Sequence, residues 1–375
     1  MAMHKNLYFI LFLIGILNST HAQEQKITTK YANHFSVDYK TDGVKILNIK
    51  NPWPNSNESF QYALVPKNKK ELLEQYQDYS CIQVPIQRMV LSSTTHIPSV
   101  VDLDEVESIV GFAGTDLISS KEVRNAVDHG HIKELGLNEK INIETAIALH
   151  PEVIIGFSIN SSNKSYEELE AFGIPIVLNA DWLEQTPLAK AEWVKFFGLF
   201  YNKEAQANTI FNQIEADYLE AKRLAAKANK QPTLISGSLY KDVWYAPGKD
   251  SWAANFFKDA NADYLFSDMG SSGSLSLSIE EAIVKGSAAS FWIAPAQFTS
   301  YQEMLDSNTH YGVFESFKNK KVFTYALTKG ETGGMLYFEL ATHRPDLVLK
   351  DLISILHPQL LKNYQPTFFK PLVHE

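Results

Sequence analysis

The sequence predicts an α/β protein of two lobes joined by one long helix, with a small β extension in front. Three observations predict it. Short apolar runs suited to buried strands alternate with helical stretches on both sides of residues 186–230, which indicates parallel α/β sheets. Between Lys203 and Ala228 an unbroken run carries Ala207, Ile210, Phe211, Ile214 and Tyr218 at helical spacing. About 26 residues at 1.5 Å each make a rod of roughly 39 Å, enough to cross between lobes. Finally, INIETAIALHPEVII (141–155) and LSIEEAIVKGSAASFWI (277–293) repeat one helix start, once on each side of that rod.

The elements follow in order. MAMHKNLYFILFLIGILNSTHAQ has a basic start at Lys5, an apolar run from Leu7 to Leu17, and small Thr20 and Ala22 before Gln23. The run is too short to span a bilayer and reads as a cleaved secretory signal over residues 1–22. No cysteine follows it, so a lipid-anchored start is not expected, and the mature chain should be soluble outside the cytoplasm. Residues 23–83 hold HFSVDY, VKILNI and SFQYALV, split by the turn TDG and the loop NPWPNSN. They form a β extension, followed by the polar connector NKKELLEQYQDYS.

Residues 84–185 make the first lobe, with strands in RMVLSS, SIVGFA, EVIIGFS and IPIVLNA and helices near 97–105, 142–149 and 164–172. Residues 186–230 are the inter-lobe helices, opened by Thr186 as a cap with Pro187 at the first helical position. Residues 231–375 form the second lobe, with strands in TLISGS, VWYA, SFWIA and KVFTYA and a last helix in RPDLVLKDLISILHP.

Acidic residues outnumber basic ones, 43 to 34, which argues against a nucleic-acid surface and for a soluble monomer. Cys81 is the only cysteine, so an exported form has no internal disulfide and depends on its core. The signatures G-x-S-x-G, G-x-x-x-x-G-K-[ST], H-E-x-x-H and C-x-x-C are all missing, and no enzyme activity is expected. A secreted enzyme using the cleft is the alternative. His129 and His131 form an H-x-H pair, but a zinc or manganese receptor needs three or four convergent ligands.

Asn142 and Ser278 are natural helix caps, which puts Glu144 and Glu280 at the second helical position. Glu281 completes a capping box with Ser278 and leaves Glu280 free to face outward. Acids at helix starts favour the macrodipole by about 0.3–1 kcal/mol, yet that alone does not explain the duplication. One carboxylate per lobe suits a two-fold symmetric partner carrying arginines.

With QRMVLSSTTHIPSVVDL, VESIVGFAGTD, INIETAIALHPEVIIG, LEAFGIPIVLNADWLEQTPLAKAEWVKFFGLF and RPDLVLKDLISILHP, the chain resembles the helical-backbone family of periplasmic substrate-binding proteins over residues 84–360. The resemblance implies two Rossmann-like lobes with a ligand in the cleft between them. It implies a receptor for an iron complex (ferric siderophore or haem) or cobalamin, with no cofactor of its own. It also implies a partner, the permease dimer of an ABC importer with its ATPase subunits, whose arginine pockets would take Glu144 and Glu280.

Ligands of open α/β lobes meet loops at the carboxyl ends of strands. Those loops hold Ser93 to His96, Thr115 to Ile118 and Ser158 to Asn160 in lobe one. In lobe two they hold Tyr240 to Tyr245, Gln297 to Tyr301 and Leu327 to Tyr337. The expected ligand contacts are Thr95, His96, Arg124, Tyr240, Trp244, Tyr245, Phe298 and Tyr337. The rings suit a large planar ligand, Arg124 an anionic siderophore, and His96 an axial position on cobalt or haem iron. Trp244 and Tyr240 lead, because SLYKDVWYAPGKDS reads as a polar loop.

Overall fold

The computed structural model describes residues 26–375; the expected secretory signal over residues 1–22 lies outside them. Among the described residues no helix is long and apolar enough to cross a membrane. Lobe one is built on a parallel sheet whose strands lie in the order Ile176–Leu178, Val153–Gly156, Met89–Leu91, Ile109–Phe112 and Lys133–Glu134. The first four are buried along their whole length, as strands covered on both faces must be. That is why each reads as a continuous apolar run.

Lobe two repeats the plan, in the order Asp263–Tyr264, Thr233–Ser236, Phe291–Ile293, Val322–Thr324 and Lys370–Pro371, with only the last strand antiparallel. A side sheet of Ser238–Tyr240, Val243–Pro247 and Ser274–Leu277 stands beside it, antiparallel throughout.

The linking helix is Glu204–Ala225, 22 residues and about 33 Å long, shorter at both ends than the expected run from Lys203 to Ala228. Ala207, Phe211 and Ile214 belong to the core of lobe one, and Tyr218, Ala221 and Ala225 to that of lobe two. One stripe at i, i+3, i+4 spacing thus seals two cores.

The β extension has four strands, not three: Phe35–Tyr39, Lys45–Lys50, Ser59–Pro66 and Ser80–Val84 in spatial order. The fourth starts at the last residue of the connector, Ser80, and pairs in parallel with the third. Only Ile82 and Val84 carry its apolar face, too short an alternation to stand out among polar neighbours. Phe35, Leu47, Ile49 and Leu64 pack in the same cluster as Met89, Ile97, Phe196 and Phe200. The extension is therefore part of lobe one's core.

Two buried acids tie down the chain leading into it. Glu192, 0% exposed, accepts from the amides of Lys30, Tyr31 and Ala32 at 2.6–3.0 Å and pairs with Lys195 Nζ at 2.7 Å. Glu184 accepts from the amides of Asn33 and His34 and from Trp193 Nε1.

The lobes also touch directly. His343 Nε2 lies 2.8 Å from Asp102 Oδ2. Glu339 Oε2 accepts from the Ser119 amide at 2.6 Å, and Ser119 Oγ donates to Gly334 O at 2.9 Å. A Cβ on Gly334 would sit 2.1 Å from Leu117 O, so glycine sets this approach. The loops around Thr115–Ile118 and Leu327–Tyr337, expected to face each other across an open cleft, are in contact.

Candidate functional site

A cavity of about 720 Å³ lies where lobe two meets the segment Trp182–Lys190, with Pro54 of the extension at its edge. That size is within the range of small-molecule sites. Its lobe-two wall comes from the carboxyl end of the Thr233–Ser236 strand (Ser236 to Ser238), the side-sheet hairpin, the start of helix Trp252–Asp259, and the rings of Tyr325 and Tyr337.

The hairpin follows from a strict alternation. Lys241 and Asp242 take positive φ, 47° and 64°, which gives the two-residue turn that matches strand twist. Period two then sends Tyr245 outward and Trp244 inward. Tyr240 and Tyr245 are 63% and 43% exposed with ring centroids 6.5 Å apart, and both border the cavity. Gly237 holds φ +87°, and a Cβ there would strike Tyr245 O at 1.9 Å; only glycine lets the strand end pass beneath the hairpin.

Trp244 corrects the sequence expectation. It is 0% exposed, stacks on Trp292 at 5.2 Å, and donates from Nε1 to Ser236 O. It is a core residue beneath the cavity wall. The tripeptide Trp-Tyr-Ala already carried the signal, a large apolar residue, an amphipathic one and a small apolar one in alternation, masked by the polar turn before it.

Of the other expected contacts, Tyr337 does line the cavity, stacked on Tyr325 at 4.7 Å with an interplanar angle of 9°. Burial raises its phenol pKa well above the ordinary value. Phe298 packs on Tyr311 at 5.8 Å, away from the cavity lining. Thr95 shares a hydrogen bond with Ser93 Oγ at 3.0 Å and does not reach the lining. Arg124 is spoken for: Nε and Nη2 pair with Asp128, and Nη1 donates to Thr115 O. It caps its own neighbourhood rather than facing a ligand.

His96 is 0% exposed, and burial pulls its pKa down to about 4 against the pull of Asp181. The ring is neutral at pH 7, and neither nitrogen has a hydrogen-bond partner among the described residues. His129 and His131 turn to different carbonyls, Asn125 O and Glu107 O. Among the described residues no three His, Cys, Asp or Glu stand together to hold a metal ion.

The lining also contains residues that the sequence did not nominate, chiefly Trp182, Lys190 and Trp252. Lys190 Nζ donates to Asp181 O and Trp182 O, each at 2.8 Å, and lies 5.7 Å over the Trp252 ring. Burial pulls its pKa down to about 8, against Asp181 and Glu184. Trp182 sits in the 3-10 turn Asp181–Leu183, Lys190 in the short helix Pro187–Ala191 and Trp252 at the start of helix Trp252–Asp259. Their convergence is set by tertiary packing, whereas Tyr240, Tyr245 and Tyr337 of the same lining lie in strand-end loops and were open to inference.

Glu144 and Glu280 are both exposed, each in the first turn of its helix, Ile143–Ala148 and Ile279–Gly286. Asn142 accepts from the Thr145 amide, and Ser278 and Glu281 form a capping box. Neither acid is needed for its own helix cap.

The family model for periplasmic binding proteins matches residues 90–326. An uncharacterised lipoprotein of Methanocaldococcus jannaschii is 26% identical over 380 residues, covering 94% of this chain and 88% of that protein. Among solved structures, a possible iron-binding periplasmic solute-binding protein of Staphylococcus epidermidis aligns with TM-score 0.56 at 20% identity, covering 72% of this chain and 98% of that one. A periplasmic haem-binding protein of Pseudomonas aeruginosa aligns with TM-score 0.56 at 16% identity, covering 77% and 97%. At these identities the structures share the two-lobe α/β fold.

Proposed function

We propose that this chain, which belongs to the periplasmic binding protein family, is an extracytoplasmic receptor that captures an iron complex (ferric siderophore or haem) or cobalamin and delivers it to the permease of an ABC importer. The observation that carries this reading is the cavity of about 720 Å³ at the inter-lobe side of lobe two, walled by tyrosine and tryptophan rings. Flat rings bury a large chelate at small entropic cost. The iron-binding and haem-binding descriptions of two fold neighbours support the same ligand class. Ferric siderophore and haem are the iron complexes to be tested, and cobalamin, a cobalt complex, is tested beside them.

Thermal unfolding of the protein against ferric siderophores, haem and cobalamin tests it. A ligand at about a hundred times its dissociation constant adds roughly 2.7 kcal/mol of stability, and one member of the panel is expected to do so. A melt unmoved by the whole panel overturns the reading.

Delivery rests on Glu144 and Glu280, one exposed carboxylate per lobe, as the groups that arginines of a two-fold permease would take. The double variant Glu144→Ala with Glu280→Ala is expected to bind ligand as the wild type does and to lose permease-dependent uptake. Normal uptake by that variant would sink the docking role.

A further inference from the structure

Resting on the receptor reading, we infer that the β extension takes part in choosing the ligand: the loop of residues 51–58 gives the cavity a rigid apolar rim, and Pro54 at its tip is a specificity-determining residue. Lobe one's strand-end loops are engaged elsewhere. Ile118 O accepts from Thr332 Oγ1 and Leu117 O lies against Gly334, both partners belonging to lobe two. Ser158 to Asn160 border a separate hollow with Asn138 and Asn163, and Ser93 to His96 do not reach the cavity lining. Outside lobe two, the cavity is lined by residues of the segment 182–190 and by Pro54. The matched family region begins at residue 90, so Pro54 belongs to a part of the chain which that region does not include.

The sequence Trp53-Pro54-Asn55-Ser56 builds the tip. The Ser56 amide donates to Trp53 O at 3.1 Å, and Asn55 takes φ +62°. Proline in the second position and asparagine at positive φ in the third are the marks of a type II turn. Below the tip, the Asn51 amide donates to Glu58 O at 2.8 Å and the Glu58 amide to Ser56 Oγ at 3.0 Å. Pro52 and Trp53 are buried, whereas Pro54 and Asn55 are exposed. Trp53 packs edge-on to Phe60, ring centroids 5.9 Å apart, and shares a cluster with Ile176 and Leu178. The Leu178 amide donates to Tyr62 Oη at 3.3 Å. The strand that leads towards Trp182 and the strand that follows the loop are thus tied together, and one frame holds both parts of this wall.

A rim so anchored selects by shape. Pro54 brings an apolar ring with a fixed φ and no N–H. It adds contact to a complex that fits and cannot swing aside for one that does not. Loops on a rigid scaffold are where binding differences arise, and preorganised contact loses little freedom on binding.

Titration of the whole protein with a ferric trihydroxamate, a ferric tricatecholate, haem and cobalamin tests this, with three variants beside the wild type. For whichever probe the wild type binds, Pro54→Ala is expected to weaken binding about three-fold through lost apolar contact. Pro54→Trp is expected to weaken it about ten-fold or more by overfilling the rim. Asn57→Trp adds the same bulk at an exposed position of the same loop outside the lining, and should bind as the wild type does. Equal melting midpoints without probe show that the loop keeps its fold; if Pro54→Trp melts early, the Pro54→Ala comparison decides.

Wild-type affinity in both Pro54 variants, or an equal loss in Asn57→Trp, overturns the role of the extension and leaves the receptor reading intact. No binding of any of the four probes by the wild type overturns both.

Discussion

Replacing Glu192 with alanine is expected to lower the unfolding free energy by about 3–5 kcal/mol, the usual result of breaking a buried ion pair from one side. The carboxylate is 0% exposed and gathers three consecutive amides, Lys30 to Ala32, together with the Lys195 ammonium. Alanine leaves those donors unpaired in a dry site, and each unpaired donor costs about 1–3 kcal/mol. Lys195 is cushioned in part, since its Nζ also donates to Thr28 O and lies 4.4 Å over the Phe211 ring. Glu192→Gln keeps one acceptor but turns an amide donor towards other donors, so it should fall between wild type and alanine. Urea unfolding of the three proteins measures the order. A loss under about 1 kcal/mol for alanine, the size of an ordinary surface change, would mean that the chain leading into the extension is held by its strands alone.

That pair of strap and acid also marks where sequence reading stops. The strands of both lobes were legible because Val153–Gly156 and its neighbours are covered on two faces and so read as unbroken apolar runs. The helix start at Asn142 and Ser278 was legible because caps act within three residues. Glu192 and Lys195 carry no such local mark; they look like a charged patch on a helix, and only the return of residues 28–32 from 160 positions away makes them core. The cavity divides the same way. Tyr240, Tyr245 and Tyr337 were reached from strand-end logic, whereas Trp182, Lys190 and Trp252 come from three separate short elements brought together by packing. Trp244 was misplaced because the polar turn before it outweighed a three-residue alternation, and in a hairpin the alternation decides which face is buried.

Glu339→Gln is expected to stabilise the protein at pH 8 by about 1–3 kcal/mol while changing little at pH 4. Glu339 sits on the lobe-two helix Leu336–Leu340, 2% exposed, and reaches across to the Ser119 amide of lobe one. Burial pushes its pKa from 4.5 up to about 7, outweighing the pull of the Ser119 and Ser120 amides. The folded protein therefore keeps a proton that the unfolded chain has released once the pH passes the ordinary carboxyl range. Its contribution favours the fold below pH 4.5, fades as the pH rises towards 7, and is gone above that. The gap between the two values corresponds to a few kcal/mol at most. Glutamine supplies the same acceptor oxygen to the Ser119 amide and carries no charge to desolvate, so it removes the alkaline penalty and keeps the inter-lobe bond. Unfolding curves at pH 4, 6 and 8 isolate the effect, because every other titrating group is common to both proteins. Parallel stability-pH profiles would show that Glu339 titrates near its unfolded value and that solvent reaches this contact between the lobes. A variant whose advantage grows from pH 4 to pH 8 would show that this junction between the lobes is dry, which is the condition under which Glu339 resists ionisation.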